Sequence, residues 1–342
     1  MRAVVFKKSL PITDPEALVD VELDKPHPGA RDLLVKVEAV SVNPVDTKVR
    51  RGGDPAGGMR VLGWDAAGTV EAAGPDATLF KPGDAVFYAG SIVRPGANSE
   101  YHLVDERIVG RKPASLSFAQ AVALPLTAIT AWELLFDRIG VQRGENADRR
   151  SLLIVGGAGG VGSIAIQIAR RLTGLTVIAT ASRPETQAWV RELGAHHVVD
   201  HSHPFAPQLA AVGVPAVDIV LALTGTDQQA GQIAEVIAPE GRLGLIEGAA
   251  AFKAFDTAPM FTKCVSVHPE MMFTRSTFGT PSMIEQHRLL NEIADLVDRG
   301  VIRTTLKEIV GPIDAANLRK AHALIESGKA IGKVVLEGWP QR

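Results

Sequence analysis

A chain of 342 residues, 46% of them hydrophobic, is long enough for two cores, and its net charge of −2 gives no electrostatic footprint for nucleic acid or an anionic membrane. A single cysteine, Cys264, excludes an intrachain disulfide framework and fits a reducing cytoplasm. The start, Met1-Arg-Ala-Val-Val-Phe-Lys-Lys, is too short in apolar residues for a secretory core and reads as an edge strand. No apolar run reaches about 18 residues, so no membrane-spanning helix is predicted.

Residues 1–125 read as short strands broken by Gly and Pro, at 33–42, 68–72, 84–88 and 99–104. Turn signals such as Lys81-Pro-Gly-Asp84 separate them, which predicts a small irregular β-barrel. From about Thr127 the pattern alternates between helix and strand. Helices are predicted at 185–193 and 228–237, and strands at 197–199, 218–223 and 242–247, the alternation of a doubly wound parallel sheet. Near Gly279 the character shifts again. A helix (282–299), a short strand (302–308), a second helix (315–327) and a closing strand (333–337) follow.

The centre of the chain carries its most informative run, Ser151-Leu-Leu-Ile-Val-Gly-Gly-Ala-Gly-Gly-Val-Gly-Ser163. It reads as a buried strand feeding a glycine turn that opens an amphipathic helix. Within it, Gly157-x-Gly159-x-x-Gly162 is the dinucleotide fingerprint in its required context. Gly157 permits the tight turn, Gly159 lets a pyrophosphate approach the backbone, and Gly162 lets helix and strand pack closely. The backbone N–H groups of Gly159, Gly160 and Val161 are expected to face the phosphates. A second strand, Leu175-Thr-Val-Ile-Ala-Thr180, ends where an NAD site would place a carboxylate on the ribose. The chain has Ala181-Ser182-Arg183-Pro184 there, so Ser182 and Arg183 are expected to hold a 2′-phosphate, which points to NADP(H).

Three further stretches, Val42-Asn-Pro-Val-Asp46, Leu62-Gly-Trp-Asp-Ala-Ala-Gly-Thr-Val70 and Ala123-Leu-Pro-Leu-Thr-Ala-Ile-Thr-Ala131, carry a resemblance over the whole length. The chain resembles the medium-chain dehydrogenase/reductases. Within them it looks like the quinone oxidoreductase branch, most closely the zinc-type alcohol dehydrogenase-like subgroup, which 263–275 and 328–338 also resemble. The resemblance implies an α/β protein. A GroES-like β-barrel catalytic domain (1–126 and 278–342) would be split around a Rossmann NADP(H)-binding domain (127–277), with the active site in the cleft and a homodimer formed through the Rossmann edge at 265–268.

Zinc members of this family bind the ion through a Cys, a His and a further Cys or Asp. The first two ligand positions fall on Asn43 and Trp64, and the four-cysteine lobe falls on Gly90-Ser-Ile-Val-Arg-Pro-Gly96, which has no thiol. Zinc needs at least three thiolate, imidazole or carboxylate ligands, so none is expected at these positions. His196, His197, His201 and His203 form a tempting cluster, but it falls where the family contacts adenosine; they read as surface histidines, with His201 near the 2′-phosphate. Without a Lewis acid, hydride acceptors whose product anion is delocalised are favoured, which selects quinones and α,β-unsaturated carbonyls. An NADP-dependent alcohol or aldehyde dehydrogenase is the alternative within the same chemistry. Some relatives are NADPH-binding structural or RNA-interacting proteins, but nothing basic or aromatic-rich here supports RNA contact.

The resemblance places Asn43 at the nicotinamide ribose or the substrate oxygen and Thr127 at the nicotinamide face. It makes Trp64 a wall of the pocket. Lys48 stands where related quinone reductases often have a Tyr, as a candidate oxyanion donor or a solvated cation. Asp65 reads as structural. Carboxamide contacts fall around Ile246 and on Met271 to Phe273, and Arg275 and Lys333 are candidate phosphate partners. The substrate class is a small carbonyl compound or quinone.

Overall fold

The structure, a computed structural model, describes residues 1–144 and 147–341. The chain divides into two compact units, Met1–Ile129 with Phe273–Arg342, and Thr130–Met272. In chain order the first segment holds β1 (Arg2–Phe6), β2 (Val19–Glu22), β3 (Asp32–Val42), α1 (Pro44–Arg51), β4 (Arg60–Val61), β5 (Ala66–Ala73), β6 (Ala85–Tyr88), β7 (Tyr101–Asp105), β8 (Val109–Arg111), α2 (Phe118–Ala121) and α3 (Pro125–Trp132). The second unit continues with β9 (Ser151–Val155), α4 (Gly160–Leu172), β10 (Thr176–Thr180), α5 (Pro184–Glu192), β11 (His197–Val199), α6 (Phe205–Ala211), β12 (Val217–Ala222), α7 (Thr226–Val236), β13 (Ile237–Leu245), α8 (Ala249–Lys253), α9 (Thr257–Thr262) and β14 (Ser266–Pro269). The first unit is completed by α10 (Thr274–Phe278), α11 (Glu285–Asp298), β15 (Leu306–Gly311), α12 (Ala315–Glu326) and β16 (Lys333–Glu337).

In the first unit β3 is the organising strand. Its apolar run Leu33 to Val42 is buried almost throughout, and its eleven residues pair with β7, β5 and β16. The register against β5 slips twice, between Leu34 and Val35 and between Val37 and Ala39, and such bulges bend a sheet into a barrel-like wall. The amino-terminal strand differs from the expected edge. β1 lies between β2 and β4 in a three-stranded sheet, because Ala3, Val4, Val5 and Phe6 are all buried and need neighbours on both sides. A helix, α1, also interrupts the strand-rich region, started by Pro44, whose fixed φ suits a first helical position.

The second unit is a six-stranded, wholly parallel sheet in the order β11-β10-β9-β12-β13-β14. β9 is buried at every position, the near-continuous apolar signature of a strand covered on both faces. The order reverses at β9 and β12, so the carboxyl end of β9 is the topological switch point where such sheets bind ligands. The stretch Phe118–Arg138, which holds α2 and α3, is long and apolar enough by composition alone to cross a membrane. It is 89% buried within the protein, as a core helix is.

Candidate functional site

The glycine turn follows β9 in the second unit. Gly156 adopts φ +86, and a Cβ there would meet Thr224 Cγ2 at 2.6 Å. A Cβ on Gly157 would press on Ala179 at 2.8 Å, and one on Gly162 would lie 2.3 Å from Gly156 O. Both glycines are therefore fixed by the packing of strand against helix. Gly159 is different: its added Cβ would come no closer than 3.5 Å to any atom. The fold leaves an open cradle at the residue the fingerprint reserves for phosphate, with Gly160, Val161 and Gly162 opening the 13-residue helix α4. These residues fit a dinucleotide pyrophosphate.

Past β10, Ser182 and Arg183 are both half-buried, and Arg183 precedes the first turn of α5. Its Nε lies 3.3 Å from Glu185 Oε1, so the guanidinium faces the loop with an acidic neighbour. His201 is half-buried in the same unit and its carbonyl accepts from Gln229 Nε2 at 3.5 Å. Of its neighbours, His196 uses Nδ1 to accept the Val177 N–H at 2.9 Å. Ile246 is half-buried beyond β13, and Met271 is 53% exposed beyond β14.

The first unit gathers a different set. Asn43 is 1% exposed, and its whole amide is engaged. Nδ2 donates to Asp65 Oδ2 at 2.8 Å and to the carbonyls of Ser41 and Trp64, both at 3.3 Å, while Oδ1 accepts from Lys333. Lys333 is 2% exposed and bonds Asp65 Oδ2 at 2.9 Å and Val42 O at 3.3 Å as well as Asn43. An ammonium has three protons, and all three are used. Lys333 thus spends its protons inside this wall, and Asn43 spends both Nδ2 protons there while Oδ1 keeps one lone pair. Asp65 Oδ1 accepts the Leu126 N–H at 2.8 Å, tying the start of α3 into the cluster.

Asp46 completes this wall. Its carboxylate accepts from the N–H groups of Asn43 at 2.7 Å and Gly63 at 3.0 Å. Burial raises it to about 7, against the pull of those donors and of Lys333. Burial likewise raises Asp65, with the Lys333 charge opposing. Trp64 is 1% exposed, donates from Nε1 to Ser91 O at 3.2 Å, and meets Phe273 edge-on with ring centroids 6.1 Å apart. Phe273, expected among the carboxamide contacts, thus packs on Trp64 in the first unit. Thr127 is buried with its hydroxyl donating to Leu124 O at 3.1 Å, and Arg275 is buried beyond Phe273. Lys48 is exposed on the last turn of α1, where a cation complements the helix dipole. The phenol of Tyr88 is buried and bonded to His102 Nδ1 at 3.0 Å, so it is not a free proton donor.

No motif marked a second buried cluster, in the nucleotide unit. Glu133 and Glu270 share Arg138, whose Nε bonds Glu270 Oε2 at 2.8 Å and whose terminal nitrogen lies 3.4 Å from Glu133 Oε2. Burial and the neighbouring Glu133 push Glu270 up to about 8. The signal in the sequence was a lone acid inside the apolar run Ala131-Trp-Glu-Leu-Leu135.

The residues do not fit zinc. Among the described residues no group of three or more His, Cys, Asp or Glu could hold a metal ion. The wall where relatives place ligands offers an amide, an indole and a carboxylate already neutralised by Lys333.

Residues 29–129 match the family model of the alcohol dehydrogenase GroES-like domain, and residues 193–336 match that of the zinc-binding dehydrogenases. A zinc-type alcohol dehydrogenase-like protein of Staphylococcus aureus (strain MSSA476) is 42% identical over 98% of this chain and 99% of its own. A quinone oxidoreductase of Pseudomonas aeruginosa is 30% identical over 94% and 96%. A protein of Rhizobium etli CFN 42, crystallised under the description zinc-dependent alcohol dehydrogenase, superposes with a TM-score of 0.95 at 60% identity, covering 100% of this chain and 99% of that one.

Proposed function

The chain belongs to the medium-chain dehydrogenase/reductase superfamily, in its zinc-type alcohol dehydrogenase-like and quinone oxidoreductase branch, and on that premise we propose that it is an NADPH-dependent, zinc-independent reductase of quinones or α,β-unsaturated carbonyls. The observation that carries this reading is the buried Lys333–Asp65–Asn43 set. It fills the wall where zinc relatives hold their ion, and a resident ammonium there repels a divalent cation.

The glycine cradle binds the pyrophosphate through Gly159, Gly160 and Val161, and Ser182 with Arg183 selects the 2′-phosphate. When bound, NADPH supplies a hydride. With no Lewis acid to hold a localised alkoxide, the acceptors that suit this site are conjugated ones. Hydride adds to the β-carbon of an enone, the π electrons move onto the carbonyl oxygen, and protonation of the resulting enolate yields the saturated carbonyl compound. A quinone gives a hydroquinone by the same bookkeeping of one hydride and one proton. Trp64 and Phe273, packed edge-on and buried, stiffen the wall from behind.

The test is NADPH oxidation by chelator-treated protein with a quinone, a simple enone and a saturated aldehyde, and NADH as comparison. Turnover of the quinone or enone that survives the chelator and prefers NADPH is the expected result. Turnover of the aldehyde alone, abolished by the chelator, would overturn the reading in favour of a metal-dependent alcohol dehydrogenase.

A further inference from the structure

The cluster around Lys333 joins four separate segments of the first unit. Val42 and Asn43 end β3 and precede α1, Trp64 and Asp65 precede β5, Leu126 lies in the first turn of α3, and Lys333 opens β16. Every side-chain donor of Lys333 and Asn43 is engaged in these links. The backbone on both sides of Trp64 is also held, before it by the Gly63 N–H on Asp46 and after it by its own carbonyl on Asn43 Nδ2. Asp65 in turn spends one oxygen on Lys333 and Asn43 and the other on the Leu126 N–H, one residue before Thr127. Such a star of bonds from one central cation is the cross-linking that a metal provides elsewhere.

We propose that Lys333 is a positioning residue of the candidate site, its ammonium taking over the cross-linking role of a metal by fixing Asp65 and, through Asp65, the Trp64 wall and the start of α3 that carries Thr127. The inference rests on the reading of the Asn43–Trp64–Thr127 wall as part of the hydride-transfer site. It assigns Lys333 no contact with substrate or cofactor. Its physical basis is the difference between a neutral and a charged clamp. Lys333 Nζ lies 2.9 Å from Asp65 Oδ2 and holds the Asn43 amide and the Val42 carbonyl with its other protons, so a shorter neutral side chain at this position cannot hold all three groups at once. The loss then falls on the links that Asp65 makes, including the one to Leu126.

Two variants test this. Lys333→Gln keeps hydrogen-bond donors at the position without the charge. The double variant Lys333→Met with Asp65→Leu removes both members of the 2.9 Å ion pair, leaving Asp46 held by the Asn43 and Gly63 N–H groups. Both are assayed for kcat and KM with the acceptor that the wild type reduces, for NADPH affinity by fluorescence titration, and for hydrogen exchange at the Leu126 amide. For Lys333→Gln the expected result is kcat lower by about tenfold or more, NADPH affinity within about twofold of wild type, and exchange at Leu126 faster by about tenfold. The double variant should show the same split between kcat and NADPH affinity.

Lys333→Gln with kcat and Leu126 exchange unchanged would overturn the inference, as would a folded double variant with wild-type kcat. If the double variant fails to fold, Lys333→Gln decides alone. The exchange measurement needs no acceptor, so it stands even where the wild type reduces none of those tried. A wild type that reduces only the saturated aldehyde sinks the proposed function, and the kcat ratio measured on that aldehyde still judges Lys333.

Discussion

A Cβ built on Gly162 would lie 2.3 Å from the carbonyl oxygen of Gly156, whereas one on Gly159 would come no closer than 3.5 Å to the same atom. The first contact is between backbones and has no flexible side chain to yield. Gly162→Ala should therefore cost about 2 kcal/mol or more of stability, as overpacking does. Gly159→Ala should melt within about 1 kcal/mol of wild type, yet bind NADPH about tenfold more weakly. Thermal melts and NADPH titration of the two variants separate packing from binding, and a Gly159→Ala protein with undiminished affinity would remove the phosphate from that residue.

Arg183→Ala should raise the KM for NADPH by about tenfold or more, the worth of one charged hydrogen bond, and leave that for NADH unchanged. Glu185→Ala removes the carboxylate 3.3 Å from Arg183 Nε and should tighten NADPH. Equal losses with both coenzymes in Arg183→Ala would show that the residue does not read the 2′-phosphate.

Asp46 predicts an unusual pH dependence. Its carboxyl is raised from an ordinary 3.8 to about 7, so across that window the folded chain keeps a proton that the unfolded chain has released. The folded state binds more protons, and this group makes stability fall as pH rises from about 4 to about 7, by on the order of 4 kcal/mol. Asp46→Asn does not titrate. The wild type's advantage over this variant in Tm should shrink steadily across the window; a gap that is constant with pH refutes the assignment.

His322 sets the opposite slope. It is fully buried on α12, neither ring nitrogen has a partner among the described residues, and burial with the Arg50 charge lowers it to about 3. The unfolded imidazole takes a proton near 6.5 and the folded one does not, so this contribution is intact above pH 6.5 and is lost as pH falls toward 3. His322→Leu should stabilise the protein by about 1–2 kcal/mol at pH 7, because two unsatisfied nitrogens disappear. The gain should grow by about 2 kcal/mol at pH 5. Melting curves at the two pH values check both the sign and the trend.

The nucleotide unit was legible because its signals are local. A buried five-residue run, three glycines at fixed spacing and an amphipathic helix lie within about twenty residues of one another, and the parallel sheet follows from the alternation around them. The first unit was legible as strands, and β16 was read at its observed bounds, but the partners of its polar residues were not. Asn43 and Lys333 are 290 residues apart, and no periodicity records that their side chains meet. Lys333 was read as a candidate phosphate partner, and Asn43 by the metal position it replaces. The start of the chain was read as an edge strand, whereas strands on both sides bury β1.

β16 lies between β15 and β3, with Val334 opposite Val42, and it brings the cation that Asp65 needs. A ribosome delivers residues 333–337 after every strand they pair with. The nucleotide unit, Thr130–Met272, is by then contiguous and complete, free to close as the chain emerges. The first unit must wait, holding an uncompensated carboxylate and an unpaired flank of β3 until the final strand arrives. Biosynthesis thus imposes an order on folding. A nascent chain halted before β16 would carry the glycine turn of the second unit and lack every link that Lys333 makes in the first.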